Sequence, residues 1–73
     1  MTFEKVRKIL AEQLELDEDE ITMDSVLVED LGIDSLDFVD IVMSLEDEFG
    51  ISIELDSNLK TVRELVELID RSL

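Results

Sequence analysis

The chain contains no cysteine, histidine, proline, tryptophan or tyrosine in its 73 residues. Lack of cysteine excludes a disulfide framework, a thiolate nucleophile and a cysteine-based metal site. Lack of histidine removes the commonest general base, so neither a Ser-His-Asp triad nor a histidine-ligated zinc centre can be assembled. With no proline, no helix is broken from within. Aromatic packing is limited to Phe3, Phe38 and Phe49, so Leu, Ile and Val must build the core. No apolar run approaches the roughly 20 residues that span a bilayer, and no signal-peptide pattern opens the chain, so a cytoplasmic location is expected.

Positive charge is also scarce. Six basic residues face 21 acidic ones, for a formal net charge of −15. The bases sit at the two ends, Lys5, Arg7 and Lys8 and then Lys60, Arg63 and Arg71, with none between Lys8 and Lys60. Such a surface repels nucleic acid and anionic lipid, and it speeds encounter with basic patches on protein partners. The length suits one domain, residues 1–73, with a thin core. At 45% hydrophobic and 37% charged, the composition is that of a folded protein rather than a disordered tail.

Apolar spacing of three and four predicts a first helix over residues 3–15, through Phe3, Val6, Leu10 and Leu14, with Thr2 as its N-cap. Residues 16–34 keep no period. They read as a long loop pinned to the core by Leu16, Ile21, Met23, Val26, Leu27, Val28, Leu31 and Ile33, with room for one short helical turn; the acidic run Asp17–Glu20 belongs to the loop. Gly32 permits a turn near its end.

The clearest helix spans residues 35–50. Asp34 can cap it, Asp37 suits its first turn, and Gly50 fits its C-terminal stop. Phe38, Val39, Ile41, Val42, Leu45 and Phe49 form its apolar face. Asp37, Asp40, Ser44, Asp47 and Glu48 lie opposite, Leu36 and Met43 fall at the boundary, and Glu46 falls toward the apolar side. Residues 51–60 read as a connector with a candidate helical turn around Asp56–Leu59; Ile51-Ser52-Ile53 could be extended but has no second strand to pair with. Thr61-Val62-Arg63-Glu64 is a capping-box signature opening a last helix with a stripe of Val62, Leu65, Val66, Leu68 and Ile69. The fold class is all-α: a small bundle of three main helices, a short extra helix before the last, and a long loop between the first two.

Ser35 stands where a turn delivers a hydroxyl to a helix start. No neighbouring base could make it a nucleophile by itself, so self-activated catalysis is not expected and no catalytic residue is assigned. Two readings remain: Asp34 and Ser35 simply begin a helix, or Ser35 is an attachment point. A phosphodiester there would meet the unsatisfied amides and positive dipole end of the helix, and a thiol-bearing arm would supply the nucleophile that the chain lacks. The adjoining acidic helix, with Leu36 and Met43 as apolar anchors, has the makings of a docking surface. Asp24-Ser25-Val26 imitates the pattern without a following helix or a preceding glycine. Asp17-Glu18-Asp19-Glu20 lacks the glycine and closing glutamate of an EF-hand, so no specific metal site is expected.

The segment Leu31-Gly32-Ile33-Asp34-Ser35-Leu36-Asp37, continued by Val42-Met43-Ser44-Leu45-Glu46-Asp47-Glu48-Phe49, resembles the Asp-Ser-Leu region of acyl carrier proteins. Length, acidity, the long first loop and the Thr61-Val62 helix extend the resemblance over essentially the whole chain. It implies a non-enzymatic, monomeric carrier whose Ser35 receives 4'-phosphopantetheine from coenzyme A through a separate magnesium-dependent transferase. The carrier would then hold acyl groups as thioesters for fatty acid synthesis enzymes, which dock through basic patches. The positions matching the family's partner-binding residues are Asp34, Leu36, Asp37, Asp40, Met43, Glu46 and Asp47. Those matching its acyl-chain lining are Phe38, Val42, Leu45, Ile53, Leu59 and Val62, all of which double as ordinary core. Two departures stand out: Phe38 is bulky where the family often has a smaller residue, and residues 54–60 are shorter than the usual region and lack its proline. A carrier for polyketide, peptide or specialised lipid assembly, and an acidic interaction protein without a prosthetic group, are the alternatives.

Crowded carboxylates on a thin core make stability salt-sensitive. Added sodium chloride or magnesium is expected to raise the melting temperature by several degrees, the scale of about 1 kcal/mol in a domain of this size. A melting temperature indifferent to both in calorimetry would show that the acids are too dispersed to matter.

Overall fold

The computed structural model describes residues 2–53 and 59–73. Among these residues are three α-helices, α1 (Thr2–Leu14), α2 (Ser35–Phe49) and α3 (Val62–Ser72), joined by a long first loop and a shorter second connection. α1 is the central element and packs against both α2 and α3. Val6 and Leu10 from α1, Leu45 from α2 and Val62, Leu65 and Ile69 from α3 are almost fully buried in one cluster. Ile21, Leu27, Leu31 and Ile33 of the first loop are buried in the same cluster. Removing such a side chain, as in Leu45→Ala, costs about 2–5 kcal/mol, a large part of the roughly 5–15 kcal/mol that stabilises a small domain.

The first loop is held by backbone hydrogen bonds rather than by a run of secondary structure. A 3-10 turn occupies Glu18–Glu20, within the acidic run expected as loop. The Asp17 amide donates to the Glu20 carboxylate at 2.9 Å, closing this turn locally. Further on, Val26 and Thr61 form an isolated antiparallel bridge. Leu27 donates to the Lys60 carbonyl at 2.8 Å, Val62 donates to the Ser25 carbonyl at 3.0 Å, and Arg63 donates to the Met23 carbonyl at 2.9 Å. The Arg63 guanidinium also pairs with Asp24 at 2.9 Å. The loop is thus stitched to the start of α3.

Ser25 belongs to this seam. Only 7% exposed, its hydroxyl accepts from the Thr22 amide at 2.9 Å. The imitation of the Asp-Ser pattern at Asp24-Ser25 is therefore a packed turn.

Helix ends largely match the expected capping. Asp34 accepts from the Asp37 amide at the N-terminus of α2, and Thr61 accepts from the Glu64 amide at the N-terminus of α3. The Glu64 carboxylate returns to the Lys60 amide, one residue earlier than a capping box requires. Gly50 ends α2 in the left-handed region at φ 65°, which costs glycine little. Thr2 departs from expectation. It lies inside α1, and its hydroxyl donates to the Asp70 carboxylate, tying the start of α1 to the end of α3.

Two apolar residues expected inside are not. Val28 is 65% exposed and Val39 is 40% exposed. Val28 lies in the Val26–Gly32 turn, where hydrogen bonds from Asp30, Leu31 and Gly32 back to Val26 and Val28 turn successive side chains in different directions. Val39 sits at the edge of the α2 apolar arc and is not among the residues packed against the core. No strand forms at Ile51-Ser52-Ile53. There the Ile53 amide donates to the Glu46 carboxylate at 2.7 Å. Most of the helical turn expected around Asp56–Leu59 lies outside the described residues.

Glu15, just past α1, has φ 57°, the only positive value at a non-glycine position among the described residues. A left-handed conformation costs an L-residue about 1–2 kcal/mol. Glu15→Gly is expected to stabilise the fold by up to about 1 kcal/mol after glycine's own entropy cost. Glu15→Ala removes the same charge without relieving the backbone and should lack this gain, so equal chemical denaturation midpoints for the two variants would refute the backbone origin.

Candidate functional site

Ser35 is the first residue of α2 and is exposed to solvent. The turn before it is set by Gly32 at φ 70°, whose amide donates to the Val28 carbonyl, while the Ile33 amide donates to the Leu27 carbonyl. Ile33 is 4% exposed and anchors this turn in the core. Asp34 then takes the Asp37 amide at 2.8 Å, and the first-turn amides have no intrahelical partner. Backbone N–H groups and the positive end of the helix dipole therefore surround the Ser35 hydroxyl, a setting that suits an attached phosphodiester.

Beside Ser35 lies a groove of about 470 Å³. Its apolar walls are Leu27, Val28, Ile33, Phe38 and Leu59, with Asp34 and Ser35 as its polar margin. Leu27 and Ile33 are buried, Phe38 and Leu59 half-buried, and Val28 exposed. An exposed hydroxyl at a helix N-terminus, next to an apolar groove, can tether an arm and shelter an apolar group carried on it. These residues fit a phosphopantetheine arm.

Of the six positions expected to line an acyl chain, Phe38 and Leu59 reach the groove. Val42, Leu45, Ile53 and Val62 are packed in the core and do not line it. Leu27, Val28 and Ile33 were not expected there. Their irregular spacing signals a pinned loop, and only the Leu27–Lys60 hydrogen bond and the Gly32 turn bring them alongside Ser35.

On the exposed face of α2, Leu36 is 78% and Met43 59% exposed, unusually open for large apolar side chains. Asp40 and Asp47 are exposed beside them, and Asp37 is half-buried near the N-terminus. Among the described residues the ion pairs are Arg7 with Glu18 and Arg63 with Asp24, so none involves an α2 carboxylate. Asp34 spends one oxygen on capping. Glu46 is half-buried, its carboxylate holding the Ile53 amide. The strip is negative, carries two apolar knobs and, among the described residues, has no ion-paired cation.

Among the described residues no helix is long and apolar enough to cross a membrane. Residues 4–69 match the family model described as phosphopantetheine attachment site. The match runs from α1 almost to the end of α3, taking in the long loop, the α2 N-terminus and the groove. The chain therefore belongs to the phosphopantetheine attachment site family, whose members are carrier domains bearing a 4'-phosphopantetheine prosthetic group and not themselves catalytic.

Proposed function

We propose that this protein is an acyl carrier protein of fatty acid synthesis and that Ser35 is its point of phosphopantetheine attachment. The observation that carries the assignment is the contrast between its two Asp-Ser pairs. Ser35 is exposed at a helix N-terminus beside an apolar groove, whereas Ser25 is buried and hydrogen-bonded within a turn. In the transfer, a bond forms between Ser35 Oγ and a phosphorus of coenzyme A. The pyrophosphate bond breaks, adenosine bisphosphate leaves, and the hydroxyl proton passes to a base on the transferase. The bound arm supplies a thiol that holds acyl groups as thioesters.

The chain's own residues supply position and recognition. Asp34 and the Gly32 turn fix the start of α2, so the hydroxyl faces outward at a defined place. The groove takes the apolar part of the cargo out of water. Leu36, Asp37, Asp40, Met43 and Asp47 form the docking strip for basic patches on the transferase and synthase enzymes, with Asp34 and Glu46 at its margins. The carboxylates there accelerate encounter, while the two apolar side chains contribute contact area on docking. Among the described residues the strip has no internal ion pairs to break first.

The experiment is modification of the purified apoprotein with coenzyme A, magnesium and a phosphopantetheinyl transferase, read by intact mass. One phosphopantetheinyl group should be added to the wild type and to Ser25→Ala, and none to Ser35→Ala. Ser25→Ala should lower stability by about 1–3 kcal/mol through the orphaned Thr22 amide, and Ser35→Ala should change it little. Equal modification of Ser35→Ala would refute the site. Acyl loading by fatty acid synthesis enzymes, rather than by polyketide or peptide assembly enzymes, is the corresponding test of the pathway.

A further inference from the structure

Ser35, Phe38, Val42 and Leu45 follow one another along a single line of α2, at spacings of three and four residues. Their exposure falls steadily inward: Ser35 is exposed, Phe38 half-buried, Val42 4% and Leu45 0% exposed. The groove beside Ser35 is lined by Phe38 but not by Val42 or Leu45, the next residues on that line. The Phe38 ring is packed against the core cluster. It thus borders both the open groove and the core that holds Val42, Leu45, Ile53 and Val62, all of them buried apolar residues.

We propose that Phe38 is a specificity-determining residue: a stop that confines an acyl chain to the outer groove and so limits the length the protein can shelter. This rests on Ser35 being the attachment point. Short chains leave water among Leu27, Val28, Ile33 and Leu59, without disturbing the core. Longer chains meet the Phe38 ring, and their outer carbons stay in solvent. A smaller side chain at position 38 opens the way toward Val42 and Val62, where further methylenes can be buried at the expense of some packing in the unloaded protein.

The test loads wild type, Phe38→Ala and Phe38→Val with butanoyl, octanoyl, dodecanoyl and hexadecanoyl phosphopantetheine, using the matching acyl-coenzyme A and a transferase. Cleavage of each thioester by hydroxylamine then measures shelter. The butanoyl rate of each protein serves as its own reference. Hexadecanoyl thioesters should be cleaved more slowly in both variants than in wild type, by about tenfold if two further methylenes leave water. Phe38→Val keeps an apolar, branched side chain and decides the matter if Phe38→Ala fails to fold. Full loading with the same length profile in variant and wild type overturns the proposal alone. No mass gain on the wild type overturns the attachment reading and this proposal with it.

Discussion

Two hydrogen bonds between the first loop and the start of α3, Leu27 to Lys60 and Val62 to Ser25, carry much of the architecture. They flank the isolated Val26–Thr61 bridge. A connection as long as residues 15–34 has many conformations to lose, and its ordering needs both backbone partners and buried side chains. The seam supplies the partners. Ile21, Leu27, Leu31 and Ile33 supply the burial, at 8% exposure or less. With the loop so fixed, Gly32 can turn the chain into α2 with the Ser35 hydroxyl on the outside and a groove wall beside it.

The same economy of parts explains the site. One short turn, Ile33-Asp34-Ser35, contributes a core anchor, a helix cap and an exposed hydroxyl in consecutive residues. The helix that follows divides its faces. Ile41, Val42 and Leu45 enter the core, while Leu36, Asp40, Met43 and Asp47 remain exposed on the outside. Leaving two large apolar side chains in water is unfavourable for an isolated domain, and such exposure fits a surface that is covered when a partner docks. A carrier needs both properties at once, a rigid place for the tether and a face that many enzymes can reach.

Charge and packing are balanced against each other. The acids are concentrated in the stretch between Lys8 and Lys60, which holds no basic residue, and the domain has few aromatic residues to strengthen its core. Lys5 lies over the Phe49 ring at 5.7 Å and Arg7 over the Phe3 ring at 5.2 Å, so two of the scarce cations pack on α1 and the end of α2 instead of neutralising the acidic strip. An acidic surface of this kind therefore carries a cost in self-repulsion within the free protein.

Helix positions, the caps at Asp34 and Thr61, the Gly50 stop and the exposed serine were legible in the sequence, because periodicity and capping are local properties set by neighbouring residues. The exposure of Val28, the pairing of Val26 with Thr61 and the inward hydrogen bond of Glu46 were not. Each depends on what the chain meets far along its length, or on the direction of one side chain in an irregular segment. The same holds for the groove. Phe38 and Leu59 could be anticipated as apolar residues near the site, but Leu27, Val28 and Ile33 enter it only through long-range backbone hydrogen bonds and a glycine turn. Local chemistry determined by itself where the helices start and stop and which hydroxyl stands free. Tertiary packing decided which apolar residues fill the core and which are left to line a groove, because burial is settled by the competition of all elements for one small interior.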